Sequence, residues 1–329
     1  MHSILYNWSS QWKWENAAAG AVAGLTTVVA LHPLDIVRTR FQVHDGRQTT
    51  TIPKYKHTVH ALYTIAKVEG LRGLYAGLFP AVLGSSLSWG LYFFLYSNIK
   101  ERNRRLVGRD LGPALHLLSA AEAGSIVCVL TNPVWLVKTR LQLQGPGHGT
   151  RQPYTGFYDA LRSILKEEGW RGLYKGLGPG LVLVSHGALQ FMAYEEGRKL
   201  LITYRSQKST DQLMNTKGEE LLTSQDFAVL GASSKLFAVF LTYPYQVIRS
   251  RLQQRPSAEG FFKYRNTWHA FEDAVRYEGF RGLYKGIIPN LLRVVPSSSL
   301  TFLIYESVLK FLKSRDLSRK IQPARGHCD

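Results

Sequence analysis

The chain contains the octapeptide Pro33-Leu-Asp-Ile-Val-Arg-Thr-Arg40 in three versions. It returns as Pro133-Val-Trp-Leu-Val-Lys-Thr-Arg140 and as Pro244-Tyr-Gln-Val-Ile-Arg-Ser-Arg251. A second block, Glu69-Gly-Leu-Arg-Gly-Leu-Tyr-Ala-Gly77, keeps nearly the same step between copies and is repeated at Glu168–Gly176 and Glu278–Gly286. Two unrelated blocks that share one period indicate three tandem copies of one structural unit.

Six apolar stretches lie between these blocks. Three of them contain no Asp, Glu, Lys or Arg: Ala17–Leu34, Ala76–Ile99 and Gly176–Tyr194. The other three carry one charge each: Glu122 in Leu111–Val137, Lys235 in Phe227–Ile248 and Arg293 in Gly286–Tyr305. A membrane-spanning helix needs about 20 mostly apolar residues, and each stretch is close to that length. The pattern predicts an all-α membrane protein with six transmembrane helices in three two-helix repeats.

The segments between the apolar stretches complete the organisation. Amphipathic runs such as Thr58–Val68 and Ala160–Lys166 predict short helices at the membrane interface. The polar segment 205–222 lacks periodicity and is expected to link the second and third repeats. The expected boundaries are 12–104, 112–204 and 223–313 for the three repeats, with a polar tail at 314–329.

The charge balance narrows the function. Lys and Arg number 41 against 23 Asp and Glu, a formal net charge of +18 that favours an anionic partner. A nucleic-acid-binding protein would explain the charge but not the uncharged membrane-length stretches. An enzyme with a phosphate-binding loop is disfavoured, because Gly176-Leu-Gly-Pro-Gly180 lacks the Lys-Ser/Thr ending. Cys128 and Cys328 show no metal-binding spacing, so neither a metal nor a cofactor is expected.

The three proline-centred motifs and their E-G-x-x-G-x-x-x-G blocks resemble the mitochondrial carrier family over about residues 12–313. The resemblance implies a six-helix bundle with pseudo-threefold symmetry, a central cavity and alternating access. Trp135 in the second motif and the stretch Ser88–Tyr96 resemble the subgroup that moves folate, FAD, NAD and pyrimidine nucleotides, and most of all the plant folate carriers of the chloroplast envelope.

That resemblance implies a carrier of folate or its derivatives in an organelle inner membrane. The chloroplast inner envelope is the first expectation for its location, and the mitochondrial inner membrane is the alternative. FAD or another nucleotide-type cofactor, such as NAD or a pyrimidine nucleotide, is the alternative substrate, and an ion channel is the rival function. The expected partners are a small anion with a flat heteroaromatic ring and membrane lipid, including anionic lipid, but no nucleic acid. The carrier is expected to be a monomer.

The proline motifs are expected to close one end of the cavity. A proline bends its helix, and an acid and a base three residues apart lie on one helix face. The resemblance implies a matrix-side gate, with a glutamine following each motif. Its expected members are Asp35, Arg38, Trp135, Lys138, Gln246, Arg249, Gln42, Gln142 and Gln253.

The family's acid is missing from two of the three motifs. Trp135 and Gln246 stand at those two positions, so only Asp35 and Lys138 can form a full ion pair between repeats. We expect Trp135 to stack on Arg249, a contact worth roughly 0.5–2 kcal/mol. We expect Gln246 to form a hydrogen bond with the first base of the first motif.

The family's opposite-side gate, aromatic-acid-x-x-base, is also incomplete. Only the second repeat keeps both charges, Glu195 and Arg198. The first repeat has Ser97 in place of the acid before Lys100, and the third keeps Glu306 but has no base. At most two ion pairs between helices are therefore expected.

Charges inside the membrane point to the substrate, because a charge in lipid is costly and usually functional. Lys235 is expected to share a face with Gln246, since eleven residues at about 100° each make nearly three turns and a rise of about 16 Å. Arg293 resembles the basic contact on the sixth helix of many carriers, whereas Glu122 is expected to be a packing partner. The candidates for binding a flat ring are Trp89, Tyr92, His186 and Gln190.

Overall fold

The structure is a computed structural model that describes residues 14–45, 55–108, 112–145, 152–208, 222–256 and 262–321. Every regular element in these ranges is helical. The first repeat contains a long helix, a short one and a second long one: α1 (Trp14–Val43), α2 (Thr58–Leu74) and α3 (Leu78–Val107). The prediction of an all-helical repeat is confirmed.

The second and third repeats follow the same plan. The second consists of α4 (Pro113–Leu143), α5 (Phe157–Gly172), α6 (Leu177–Val182), a 3₁₀ turn (Leu183–Ser185) and α7 (His186–Lys208). The third consists of α8 (Ser224–Leu252), α9 (Thr267–Glu278), a 3₁₀ turn (Phe280–Tyr284) and α10 (Ile287–Ile321).

Among the described residues, five helical segments are long and apolar enough to cross a membrane: Ala18–Val43, Leu78–Val107, Pro113–Leu143, Gln225–Leu252 and Phe280–Ser314. The sixth expected crossing corresponds to α6 and α7, which the 3₁₀ turn separates. Because that turn divides one span into two helices, neither half reaches the required apolar length alone.

The long helices pack in a closed order. Helix α3 lies along α4, α7 along α8, and the last helix, α10, returns to lie along α1. Each short helix packs on the end of the long helix before it, through equivalent apolar residues. In the first repeat Ile36 and Val37 of α1 meet Ala61 and Ile65 of α2, all of them buried. The three repeats therefore form one ring rather than three separate hairpins.

Some boundaries differ from the expected ones. Helix α7 continues to Lys208 and α10 to Ile321, so parts of the expected linker and tail are helical, as their Lys, Arg and Leu content allows. The remainder of those segments, 209–221 and 322–329, lies outside the described residues. The regular part of α2 ends at Gly70 and that of α5 at Gly169, where φ is 68° and 70°. Glycine adopts this left-handed conformation without steric cost, and the chain turns there.

Candidate functional site

Asp35 lies at the centre of the expected matrix-side gate. Its Oδ2 is 2.6 Å from Nζ of Lys138 on α4, so the two residues form the ion pair between repeats that the sequence predicts. Its Oδ1 lies 3.8 Å from Arg38 and 3.7 Å from Nε of Arg293 on α10. Arg293, expected among the substrate contacts, thus also reaches the gate carboxylate.

The other two motif contacts between repeats contain no ion pair. One is a hydrogen bond to an amide, and the other is not formed. Arg38 donates a hydrogen bond from Nη2 to Oε1 of Gln246 at 2.5 Å, the bond expected from the sequence. The Trp135 indole donates from Nε1 to Oγ of Ser88 on α3 at 3.3 Å. The Lys138 ammonium lies 5.1 Å from the centre of the same ring.

The expected stacking of Trp135 on Arg249 is not observed. The indole turns towards α3 because Gly84 leaves space for it there: a Cβ at Gly84 would lie 3.4 Å from Trp135 Cε2. Arg249 instead donates from Nη2 to Oδ1 of Asn132, at 3.3 Å. The third repeat's base is therefore bonded to an amide, and the indole occupies a neighbouring groove.

The three glutamines after the motifs form equivalent bonds between repeats. Each accepts a hydrogen bond at Oε1 from a hydroxyl of the preceding repeat: Thr39 to Gln142 at 2.8 Å, Thr139 to Gln253 at 2.8 Å and Ser250 to Gln42 at 2.7 Å. The Gln142 amide also donates to Asp35 at 3.0 Å. The buried Gln253 Nε2 has no acceptor among the described residues, because the corresponding acid position is occupied by Trp135.

A ring of three arginines next to these glutamines was not predicted. Arg40, Arg140 and Arg251 are almost fully buried, and each forms an ion pair with the glutamate that opens the second block of its own repeat, Glu69, Glu168 and Glu278. Each also donates from Nε to a backbone carbonyl of the next repeat: Gln142 at 3.1 Å, Gln253 at 3.2 Å and Gln42 at 3.1 Å. The sequence contained a signal for this ring, because each arginine ends the first repeated block and each glutamate begins the second.

The residue before each motif proline is also part of this end and was also missed. His32, Asn132 and Tyr243 differ in chemistry, yet each is buried and bonds to a carbonyl in the turn before the next long helix. The bonds are His32 Nε2 to Ala76 O at 3.0 Å, Asn132 Nδ2 to Leu173 O at 2.8 Å and Tyr243 OH to Lys285 O at 3.1 Å. Three unlike donors, one in each repeat, therefore attach the proline-containing helix to the turn of its own repeat.

The opposite-side gate residues show ion pairs within their own helices. Glu195 and Arg198 lie 3.8 Å apart, but both belong to α7. Glu306 pairs at 3.7 Å with a lysine one turn later on its own helix, and Ser97 and Lys100 are exposed. At this end other residues link neighbouring helices: Arg102 of α3 pairs with Glu122 of α4 at 2.6 Å, and Arg205 of α7 pairs with Asp226 of α8 at 2.7 Å. The two ends of the bundle therefore differ: gate residues of different repeats meet at the proline motifs, whereas the described gate pairs at the other end lie within single helices.

Of the side chains expected to contact the substrate, Lys235 and His186 come near each other. Lys235 is partly buried on α8, within electrostatic range of His186 on α7. His186 Nδ1 is hydrogen-bonded to Oγ1 of Thr242 at 3.0 Å, and Gln190 lies one turn further along α7, partly buried. The arrangement leaves their role as substrate contacts a prediction.

Trp89 and Tyr92 are in aromatic clusters on α3. Trp89 is 62% exposed and stacks on Phe93 at 5.7 Å, while Tyr92 stacks on Tyr96 at 5.9 Å. No hydrogen bond or ring contact in the described ranges joins either to Lys235 or its neighbours. Glu122, the expected packing partner, forms an ion pair with an arginine of α3 at 2.6 Å.

Comparison with known proteins decides the family. The sequence profile described as mitochondrial carrier protein matches residues 9–105, 109–205 and 222–316. The chain belongs to the mitochondrial carrier family. The carrier is 59% identical over 318 residues to folate transporter 1, chloroplastic, of Arabidopsis thaliana, covering 94% of this chain and 99% of that one.

Two further relatives of the carrier have other names. Over 300 residues it is 39% identical to nicotinamide adenine dinucleotide transporter 1, chloroplastic, of Arabidopsis thaliana, covering 90% of this chain and 91% of that one. Over 325 residues it is 31% identical to a mitochondrial pyrimidine nucleotide transporter of Saccharomyces cerevisiae, covering 91% and 86%.

The closed end of the carrier has an excess of positive charge. Besides the arginine ring and its glutamates, the motif bases Arg38, Lys138 and Arg249 lie here together with Arg293. Asp35 is the one carboxylate within salt-bridge distance of any of these four in the described part of the chain. An excess of buried positive charge attracts anions strongly, because the low dielectric weakens screening. The arrangement is chemically suited to a negatively charged solute.

Proposed function

We propose that this carrier moves folate or a folate derivative across an organelle inner membrane by alternating access. The observation that carries the proposal is the 59% identity with a chloroplastic folate transporter over almost the full length of both chains. The relatives at 39% and 31% identity are named for other substrates, NAD and pyrimidine nucleotides.

The chemistry of folate agrees with the charge distribution. Its glutamate part carries two carboxylates, both ionised near neutral pH, and its pterin is flat and rich in hydrogen-bonding groups. The excess cations at the closed end and Lys235 further along the bundle supply positive charge for the carboxylates. The pterin would contact the aromatic and amide side chains of Trp89, Tyr92, His186 and Gln190.

FAD and NAD are the alternative substrates, because a pyrophosphate presents comparable negative charge and both contain flat rings. The NAD-transporting relative favours NAD as the second candidate. We place the carrier in the chloroplast inner envelope, with the mitochondrial inner membrane as the alternative. It acts there as a monomer embedded in lipid. Its activity is transport rather than catalysis, and it binds no nucleic acid.

Reconstitution into liposomes tests the substrate. Proteoliposomes would be offered labelled folate, FAD, NAD and a pyrimidine nucleotide separately, with protein-free liposomes as the control. We expect folate to accumulate fastest, inhibited by unlabelled folate. Uptake of FAD alone would establish the first alternative. Robust transport of NAD or pyrimidine nucleotide without folate or FAD uptake would contradict the assignment to folate.

A further inference from the structure

Arg249 is the gate base without an acid. In the threefold pattern Lys138 meets Asp35 at 2.6 Å and Arg38 meets Gln246 at 2.5 Å. The residue that would meet Arg249 in this pattern is Trp135, whose indole is hydrogen-bonded to Ser88 on α3 instead. No carboxylate lies within salt-bridge distance of Arg249 in the parts of the chain that the structure describes.

The surroundings of Arg249 offer its charge little compensation. Its Nη2 donates a hydrogen bond to the amide oxygen of Asn132, at 3.3 Å. A Cβ at Gly180 would lie 3.3 Å from the Arg249 Cζ and 3.1 Å from the Cys128 Sγ, so the guanidinium faces backbone and a thiol there. Arg38 is within electrostatic range and repels it. A cation placed in this way is costly unless another molecule supplies the counter-charge.

We propose that Arg249 binds the anionic group of the transported molecule, a carboxylate or a phosphate, at the closed end of the cavity. The inference rests on the proposed function and deepens it. A guanidinium suits this role because its planar set of donors binds either group in two parallel hydrogen bonds. Replacement of the motif acid by Trp135 leaves Arg249 available, so the substrate's anion completes the third connection of the gate.

Substrate fragments separate charge binding from ring binding. Purified carrier would be titrated with p-aminobenzoylglutamate, which carries both glutamate carboxylates of folate, and with uncharged pterin. For Arg249→Gln we expect the dissociation constant of p-aminobenzoylglutamate to rise about ten- to a hundredfold, the usual loss for a charged hydrogen bond. The affinity for pterin should stay within about threefold, and Arg249→Lys should lie between wild type and Arg249→Gln.

Thermal unfolding without ligand distinguishes this role from a structural one. Removing an uncompensated cation should leave the midpoint of the ligand-free carrier unchanged or raise it. Arg140→Gln is the matched control, since Arg140 is ion-paired with Glu168 and its loss should lower the midpoint. A lowered midpoint for Arg249→Gln, together with unaltered affinity for p-aminobenzoylglutamate, would overturn the proposal.

Trp135→Glu provides the converse test and does not require removing Arg249. A carboxylate restored at this motif position should pair with Arg249, raise the ligand-free midpoint and weaken binding of p-aminobenzoylglutamate. Unweakened binding would contradict the inference.

The same variants would be measured with NAD. If the wild-type carrier binds NAD and not folate, the folate assignment fails. The effect of the Arg249 variants is then measured on the affinity for NAD. Folate transport by wild type, combined with anion binding that is indifferent to Arg249, would overturn only the inference.

Discussion

The carboxylate of Asp35 contacts Lys138, Arg38 and Arg293, so removing it and removing Lys138 should have unequal effects. Asp35→Ala leaves three basic side chains without their shared counter-ion, which should cost about 3–5 kcal/mol. Lys138→Ala leaves the carboxylate with two arginines and should cost about 1.5 kcal/mol. Thermal unfolding of the purified variants measures the order, and an equal or reversed order would contradict this description of the gate.

The direct pairing of the two residues can be tested by exchanging them. Asp35→Lys combined with Lys138→Asp should recover part of the uptake lost by Asp35→Lys alone. Recovery should be incomplete, because the introduced ammonium would lie beside Arg38 and Arg293. A double variant that transports no better than the worse single variant would show that the pair does not act directly.

Lys235 should affect substrate affinity rather than folding. A lysine facing the cavity attracts an anion, whereas one at the lipid boundary would extend its ammonium to the interface. We expect Lys235→Gln to raise the apparent KM for folate several-fold with little change in protein abundance. Lys310→Gln, a change at an exposed lysine of α10, is the control and should leave the KM unchanged. An unchanged KM in both variants would place Lys235 outside the transport path.

At the scale of the elements, the repeated blocks predicted the three long helices that contain the motif prolines and which of their residues are equivalent. Equivalence, combined with the partner rule implied by the family, was enough to predict the Asp35–Lys138 pair and the Arg38–Gln246 bond. It was not enough for the arginine ring, because Glu69 lies at the end of the regular part of α2 and reaches Arg40 through the packing of α2 against α1. Such a contact depends on the angle of the short helix, which a repeat period does not encode.

The direction in which a large side chain turns could not be predicted from the sequence either. Whether the Trp135 indole turns towards Arg249 or towards α3 depends on free space beside its helix. Gly84 and Ser88 supply that space and a hydrogen-bond acceptor on α3. Neither residue belongs to a repeated motif, so the pattern contained no signal for the contact.

The two ends of α3 provide a matched test of packing between repeats. Gly77 precedes the helix and Gly108 follows it, with φ of 75° and 68°. A Cβ at Gly77 would lie 3.1 Å from the Lys138 carbonyl oxygen, whereas one at Gly108 would meet nothing within 4 Å. Gly108→Ala should cost about 1 kcal/mol for its backbone conformation alone.

Gly77→Ala should cost about 1–3 kcal/mol more than Gly108→Ala, because the added methyl group also crowds the neighbouring repeat. Thermal unfolding of both variants under the same conditions gives the difference. Equal midpoints would mean that the first repeat does not pack against α4 as closely as the structure shows.

At the scale of the whole molecule, the repeats form a closed ring whose two ends differ. The end at the proline motifs is held by an ion pair between motifs, hydroxyl–glutamine bonds and the arginine ring, while at the other end ion pairs join α3 to α4 and α7 to α8. A carrier must exchange this arrangement for its opposite during transport. The connections at the closed end must therefore break, and only one of the three motif contacts is a full ion pair.

The kinetics of uptake test most directly whether this carrier moves folate by alternating access rather than through an open pore. Proteoliposomes with and without internal unlabelled folate would be given increasing external concentrations of labelled folate. We expect uptake that saturates with concentration and becomes faster when folate is present inside. Uptake that rises linearly with concentration and is indifferent to internal folate would contradict it.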